Sequence, residues 1–517
     1  MARTPSTKLY DLIHKMSGSE KRYFKLYAST HALPDSKSMH LFDVLVTQET
    51  QNDTAAEQLV YGAIAPNAKK FTELKSFLYA LILRALAEYD AETSIDFKLK
   101  NYLTQIRVLY KRGLYVGCKS SMEDAKKVAL KYEEFTTLIE ILRWEKQIAY
   151  AESNINYLVK ELQRIENEED MYLNKLKNVA ILRNASFEIL SCIRKNEGRS
   201  NNNAAELIQD IIQKTNSIYI IDKHAYMEQV LCLRMQSMYC FAKQDYKGFY
   251  TTCKDLLFIM ESEPHFIKED ATDYISALSN FMKSCFSYEK YDEAFIYINK
   301  FNEIESKSDD DAVKIHRQYA QSMFQLCLTT GQFKKGAAEL EIHFKLIERF
   351  DQQLFARASF YFAYFYLYFG NGEYEKALKY LNFWLNAQKN LDRQGLTTLS
   401  RLMNIIIHFE LGNIFLLESL LISTYKLLYK NKKIFAVEKK ILQFIKLTQK
   451  VRNNKELVVL FQNLRSDFEI LSKIPKESTL FLYFDFISWL DSKIDNIAFS
   501  EVVQLKFQKK YMNKTEQ

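Results

Sequence analysis

Apolar residues recur three or four positions apart wherever the pattern along this chain is clear, and few residues interrupt them. Two such runs are Leu9, Leu12, Ile13, Met16 and Ile434, Val437, Ile441, Phe444, Ile445. Only 12 glycines and 5 prolines occur among 517 residues. A β-sandwich, a barrel or a doubly wound α/β fold needs more turn residues than this. The pattern therefore predicts an all-α chain built from long helices.

A short turn recurs along the chain, in which a small or polar residue stands two positions before an aromatic or aliphatic one. The aromatic or aliphatic positions are Tyr115, Tyr246, Tyr291, Phe333, Tyr374 and Ile414. Successive turns from Tyr246 onwards are 40 to 45 residues apart. The longer gap before Tyr246 predicts two degenerate turns near Tyr157 and Asn202, and hence about eight helix hairpins.

The segment GNGEYEKALKYLNFWL resembles the centre of a tetratricopeptide repeat through Gly372, Tyr374 and Ala377. The resemblance covers residues 100–430 and implies a right-handed superhelical array of antiparallel helix hairpins, a TPR-like α-solenoid. Two features depart from the family pattern. The spacing exceeds the usual repeat of about 34 residues, and Trp384 stands where a small residue is usual. The longer spacing predicts helices longer by about one turn each, and the bulk of Trp384 predicts a greater distance between helices, so we expect a superhelix that differs from the standard one.

The first ninety residues stand outside this register. Ser17 and Glu20 have the spacing of a capping box, which indicates that one short helix ends before Ser17 and a second one begins there. We predict a helical N-terminal cap over residues 1–90, repeats over 91–430 and C-terminal helices with a basic face over 431–517. An alternative for residues 1–90 is a helix-turn-helix that contacts DNA, because residues 1–30 carry a net charge of +4.

Stacked hairpins leave long surfaces that suit extended partners, so the fold predicts a protein-protein interaction scaffold that binds an unknown protein or peptide through its groove. The candidate contacts are four tyrosines of an aromatic segment, Tyr361, Tyr364, Tyr366 and Tyr368. The alternative for these rings is core packing between helices, with each hydroxyl hydrogen-bonded to a backbone carbonyl. The alternative function is a transcriptional regulator with an N-terminal helix-turn-helix and a repeat sensor domain.

Positive charge is concentrated near the C-terminus. The whole chain has a net charge of +7, whereas residues 426–456 alone carry +8. Lys432, Lys433, Lys439 and Lys440 are therefore candidate contacts for an acidic partner. The alternative is an ordinary solvated face of one basic helix, and nucleic acid is the weaker of the partner predictions.

Candidate chemistry is sparse. The sequence has no phosphate-binding loop, nucleophile elbow or zinc-protease motif, and its eight histidines stand singly. The densest carboxylate cluster, at 166 and 168–170, is interpreted as a solvated helix end. We therefore predict no enzyme activity, no cofactor and no metal site.

Cysteine content and hydropathy indicate in which cellular compartment the chain lies and whether it spans a membrane. Seven cysteines, with no CxxC pair, favour a reducing environment and hence the cytoplasm. The most apolar stretch, residues 354–369, is short for a membrane span, which needs about 20 apolar residues, and it contains Arg357. We predict that it forms a buried helix and that the chain has no membrane span.

Overall fold

The computed structural model describes most of the chain as helix. The described residues are 7–31, 36–62, 68–91, 94–195, 201–218, 225–387, 394–430, 436–481 and 483–515. Over these ranges the regular elements are all helical, which confirms the all-α prediction. The three-part division into residues 1–90, 91–430 and 431–517 stays a prediction.

Five helices occupy the N-terminal region. They are α1 (Lys8–Lys15), α2 (Gly18–His31), α3 (Lys37–Thr47), α4 (Asp53–Tyr61) and α5 (Ala68–Ala91). The capping box is confirmed, because the Ser17 N–H donates to a Glu20 carboxylate oxygen over 2.6 Å and the Glu20 N–H donates to the Ser17 hydroxyl over 3.2 Å. Buried apolar side chains from all five helices form one core. The DNA-contact alternative for this region stays a prediction.

The next helices form the middle of the chain. They are α6 (Ile95–Tyr110), α7 (Tyr115–Lys131), α8 (Phe135–Ala151), α9 (Ile155–Lys195), α10 (Asn201–Ile218), α11 (Tyr226–Ala242), α12 (Tyr246–Ser262), α13 (Pro264–Glu269) and α14 (Thr272–Ser287). Neighbours along the chain pack as pairs, notably α6 with α7 and α11 with α12.

The remaining helices continue to the C-terminus. They are α15 (Tyr291–Tyr297), α16 (Lys300–Glu303), α17 (Asp309–Thr330), α18 (Phe333–Ile347), α19 (Ala358–Gly370), α20 (Tyr374–Ala387), α21 (Gln394–Glu410), α22 (Ile414–Lys430), α23 (Ala436–Thr448), α24 (Asn454–Leu471), α25 (Pro475–Phe481), α26 (Phe486–Ile494) and α27 (Phe499–Thr515). A 3₁₀ turn, Gln352–Leu354, precedes α19.

The chain divides into two compact units. Unit 1 comprises Met1–Ser284 and Ile304–Ala312, and unit 2 comprises Cys285–Glu303 and Val313–Gln517. In unit 1, the long helix α9 packs against α8, α10 and α11. In unit 2, α19 packs against α18 and α20.

The recurring turn has one backbone geometry. A residue with positive φ stands two positions before the next helix, as Gly372 (φ 80°) does before Tyr374. The following N–H, that of Glu373, donates to the Tyr368 carbonyl five residues back over 2.9 Å. This Schellman geometry ends one helix and directs the chain back along it.

Every predicted turn position begins a helix, from Tyr115 (α7) to Ile414 (α22). The degenerate turn near Tyr157 is confirmed as well, because Ser153 has φ 55° and α9 begins at Ile155. Near Asn202, α10 begins at Asn201, and the predicted turn before it lies outside the described residues. A further turn, before Phe135, was not predicted from the sequence. There Glu133 has a positive φ of 53° and stands two residues before the start of α8, as in the other turns.

Two local predictions were wrong. The carboxylates at 166 and 168–170 lie inside the 41-residue helix α9 and not at a helix end. Ion pairs hold two of them there, Glu168 with Lys126 and Glu169 with Lys146. The basic segment 426–456 is not one helix either, since α22, α23 and α24 divide it.

Candidate functional site: an acidic cavity with aromatic walls

Unit 1 contains a cavity of about 640 Å³, which we call the acidic cavity. Residues from several separate segments line it. They are Ile95, Asp96, Tyr132, Glu134, Arg183, Tyr226, Met227, Val230, Met260, the segment 266–273, Glu305, Lys307 and Asp311. The lining therefore combines the start of α6, the turn before α8, one side chain of α9, the start of α11 and the α13 region.

Two glutamates hold these segments together by capping helices that they do not belong to. The Glu133 carboxylate accepts the backbone N–H groups of Tyr226 (2.7 Å) and Met227 (3.0 Å) at the start of α11. Glu269 accepts the N–H of Ile95 at the start of α6 over 2.9 Å. The exposed N–H groups at a helix start favour a negative charge. Each of these carboxylates therefore fixes the start of a helix that lies elsewhere in the sequence.

Aromatic rings form part of the wall. The rings of Tyr226 and Phe266 stack in parallel with centroids 4.0 Å apart. Tyr132 meets Phe266 edge-on, with centroids at 5.8 Å. Burial raises the pKa of Tyr226 to about 12, and the nearby Asp273 carboxylate contributes to the rise. The tyrosine hydroxyls therefore stay neutral at physiological pH and present polarised O–H groups and π-faces.

The charge of the lining is strongly negative. Its acidic members are Asp96, Glu134, Glu269, Asp270, Asp273, Glu305 and Asp311, and its basic members are Arg183, Lys268 and Lys307. Some of these charges are paired, such as Asp273 with Arg234 (2.9 Å) and Glu269 with Lys307 (3.8 Å). The carboxylates nevertheless outnumber the cations that line the cavity by four.

Glu134 is the side chain on which this excess charge acts most clearly. Burial raises the pKa of its carboxyl above the ordinary value, and the carboxylates of Asp96 and Glu269 raise it further. Lys100 and Arg183 partly offset this effect. A cation bound in the acidic cavity would stabilise the ionised form of Glu134 and reverse the shift.

The four predicted tyrosines lie on α19 in unit 2, and none of them belongs to the lining of this cavity. Tyr364 and Tyr368 are each only 2% exposed, whereas Tyr361 and Tyr366 are half-buried. The Tyr361 ring lies 5.5 Å from that of Phe383. Their predicted role in partner contact stays a prediction, although core packing now accounts for much of their surface.

Three of the four hydroxyls have partners inside unit 2. The Tyr364 hydroxyl lies 2.6 Å from Nε2 of His343. The Tyr368 hydroxyl donates to a Glu341 carboxylate oxygen over 3.0 Å, and the Tyr366 hydroxyl accepts the backbone N–H of Asp485, also over 3.0 Å.

Two of the four predicted lysines can be placed. Lys439 is exposed on α23, and Lys440 on the same helix pairs with Asp467 over 2.8 Å. Lys432 and Lys433 lie outside the described residues. The apolar side of the predicted pattern is confirmed by Val437 and Ile441, which are fully buried. Partner contact by these lysines stays a prediction.

Unit 2 also joins two histidines that are 27 residues apart in sequence. Nδ1 of His343 lies 2.9 Å from Nε2 of His316, so His316, His343 and Tyr364 form one hydrogen-bonded chain. Burial lowers the pKa of His343 to about 3 and that of His316 to about 4. Both imidazoles are therefore neutral at physiological pH.

Three further features of the described ranges concern the remaining predictions. All seven cysteines lie within these ranges, and none of them is in a disulfide there. Within the same ranges, no helix is long and apolar enough to cross a lipid bilayer. Nor do three or more side chains of His, Cys, Asp or Glu come together there as a metal site.

Comparison with known proteins yields no relative. No family model, no curated protein and no solved structure matches this chain. The resemblance to tetratricopeptide repeats therefore stands on the turn residues and on the paired helices.

The acidic cavity was not predicted from the sequence. Its lining comes from segments between residues 95 and 311, and none of them carries a recognisable motif. One signal was available, namely the adjacent Glu133 and Glu134 at an unrecognised turn. That pair supplies both a helix cap and the most perturbed carboxylate of the cavity.

Proposed function

We propose that this chain is a cytoplasmic protein-interaction scaffold that binds a segment of a partner protein and has no catalytic role of its own. In this proposal the hairpins within each unit stack as a TPR-like, right-handed superhelical array, and α1 to α5 form the N-terminal cap. The shared Schellman turns and the paired helices support the array. Cysteines without disulfides support a reducing compartment.

The acidic cavity is the binding site in this proposal, and a lysine or arginine side chain of the partner is its ligand. The single observation that carries the proposal is the excess of carboxylates in a cavity whose wall includes stacked aromatic rings. A cation over the face of Tyr or Phe gains about 0.5 to 2 kcal/mol, most of all where water is excluded. Carboxylates around the same space add specificity for positive charge.

The test is a calorimetric titration of the full chain with a synthetic peptide that contains several lysines. A peptide with glutamine at each lysine position is the matched control ligand. We expect binding of the lysine peptide alone, and weaker binding as salt rises, because salt screens exposed charges.

Two variants locate the site. Glu134→Gln removes one carboxylate of the acidic cavity and should weaken binding several-fold. Glu88→Gln, an equally conservative change at an exposed position of α5, should leave the affinity unchanged. Equal binding of the lysine and glutamine peptides, or equal affinities of the two variants, would overturn the proposed function.

A further inference from the structure

Helix α9 has two apolar faces, and only one of them is covered. The covered face contributes buried side chains such as Ile165, Tyr172, Leu182 and Ile189 to the core of unit 1. The second face, which we call the outer seam, follows alternating steps of four and three residues. Its positions are Ile155, Val159, Leu162, Glu166, Glu169, Leu173, Leu176, Ala180, Arg183, Phe187 and Leu190.

The apolar side chains of the outer seam are exposed to solvent. Val159 is 77% exposed, Phe187 64% and Leu173 50%. A seam with alternating steps of four and three has the 3.5-residue period of a coiled coil. On a helix with 3.6 residues per turn, such a seam drifts slowly around the axis, so it fits a partner helix that wraps left-handedly.

Acidic residues are concentrated in the first half of α9 and basic residues in its second half. Residues 155–172 carry five acidic and two basic side chains, whereas residues 173–195 carry five basic and one acidic side chain. A second α9 aligned antiparallel would therefore set the acidic half of each helix against the basic half of the other. A parallel copy would set like charges side by side, which is unfavourable.

We infer that the outer seam of α9 is a homodimer interface, in which α9 of a second copy of this chain packs antiparallel along it. The outer seam and the lining of the acidic cavity have Arg183 in common, and the inference does not rest on the proposed function. A two-fold dimer uses the same patch on both copies, and the alternating seam of α9 is self-complementary in this way.

Antiparallel coiled coils join an a position to a d position in each layer, and of the registers that do so one also sets Glu166 against Arg183. The facing residues of the two copies in that register are Val159 with Leu190, Leu162 with Phe187, Leu173 with Leu176, Glu169 with Ala180, and Glu166 with Arg183. Apolar residues thus meet apolar residues. Each Glu166 meets the Arg183 of the other copy, which gives two ion pairs across the two-fold axis, while Glu169 keeps its contact with Lys146 of its own chain.

The first test is the mass of the full chain in solution, measured by sedimentation equilibrium over a range of concentrations. We expect a dimer, about twice the monomer mass of 61.0 kDa. Leu173→Glu places a charge at the centre of the interface and should raise the dissociation constant at least about tenfold. Asn174→Glu adds the same charge at the next exposed position, outside the outer seam, and should leave the mass unchanged.

The second test fixes the partner and the register. Glu166→Arg and Arg183→Glu should each weaken the dimer by setting like charges together, and the double variant should restore it. A monomeric wild-type chain at high concentration would overturn the inference. So would a dimer that tolerates Leu173→Glu, or charge reversals that never compensate one another. Circular dichroism shows that each variant is folded, so that a loss of mass reports the interface alone.

Discussion

Helices α9 and α19 show that apolar composition and exposure need not go together. Helix α19 is apolar on every side, and neighbours within unit 2 bury most of its rings, including Phe360, Tyr364 and Phe365. Helix α9 is rich in charged residues, yet its outer seam exposes Val159 and Phe187 to solvent. A buried helix can be apolar on every side. A surface helix with a second, exposed apolar stripe has a surface that a partner can bind.

The aromatic residues of the two units also differ, because those of α19 pack inside unit 2, whereas some of those in unit 1 line a cavity. In unit 2, the hydroxyls of Tyr364 and Tyr368 are used inside the protein, by His343 and Glu341. In unit 1, rings such as Tyr226 line a cavity with an excess of carboxylates. The lesson is that an aromatic run in a sequence marks packing first, and that binding chemistry is better sought where charge and aromatic surface converge.

The largest effect should come from truncating a covered ring. Tyr364→Ala should lower the free energy of unfolding by about 3 to 5 kcal/mol, because it removes a buried ring and leaves a cavity. Tyr150→Ala makes the same change at the end of α8, where the ring is 80% exposed, and should cost about 0.5 kcal/mol or less. Urea unfolding of both variants checks the difference, and equal losses would contradict the contrast between covered and uncovered rings.

Removing only the hydroxyl separates hydrogen bonding from packing. Tyr364→Phe should cost about 1 to 3 kcal/mol, because it leaves Nε2 of the buried His343 without its partner. Tyr361→Phe, on the half-buried side of the same helix, is the matched control and should change stability far less. The same urea experiment measures both, and a Tyr364→Phe variant as stable as the wild type would assign the hydroxyl no role.

Lowering the pH should reduce the stability of unit 2, because the buried imidazole of His343 stays neutral in the folded state. The pKa of His343 is about 3 when folded, below the ordinary value of 6.5, so the unfolded chain takes up the proton first. Stability is therefore fully present above pH 6.5 and falls as the pH is lowered towards 3. Between pH 7.5 and 5.5 this group should account for a loss of about 1.4 kcal/mol.

Urea unfolding at several pH values measures this slope. His343→Gln should flatten it, because the titrating group is gone, whereas His40→Gln at an exposed position should not. His316 lies next to His343 and shares its neutral state, so some slope should remain in the His343 variant. An unchanged slope in His343→Gln would show that other groups cause the dependence.

The smallest effect concerns the turns that both units share. Gly372 follows α19 with φ 80°, and Gly372→Ala should cost about 1 kcal/mol because a Cβ is strained in that region. Gly18→Ala is the control, at a helical glycine where a Cβ meets open space. Thermal unfolding distinguishes the two, and a neutral Gly372→Ala would count against the Schellman geometry at this turn.

Local structure could be predicted from the sequence because its signals are local. A small or polar residue two positions before Tyr374 or Tyr115 marks a turn whatever the rest of the chain does. The long helix α9 was not predicted, since the carboxylates around Glu168 look like a helix end until Lys126 and Arg164 are seen to pair with them.

Sites that depend on distant segments could not be predicted. Glu133 caps α11, which begins 93 residues later, and no spacing rule connects the two. His316 and His343 stand singly in the sequence and meet only when α17 packs near α18. The acidic cavity arises in the same way, from segments whose proximity is a property of the folded unit.

The central claim is that the binding chemistry of this protein lies in the acidic cavity and not in the tyrosines of α19. The most direct measurement is the fluorescence anisotropy of a labelled lysine-rich peptide titrated with two variants, Glu134→Arg and Tyr361→Ala. We expect Glu134→Arg to lower the affinity about tenfold or more by charge repulsion, and Tyr361→Ala to bind as the wild type does. Loss of binding in Tyr361→Ala with full affinity in Glu134→Arg would contradict the claim and place the partner on α19.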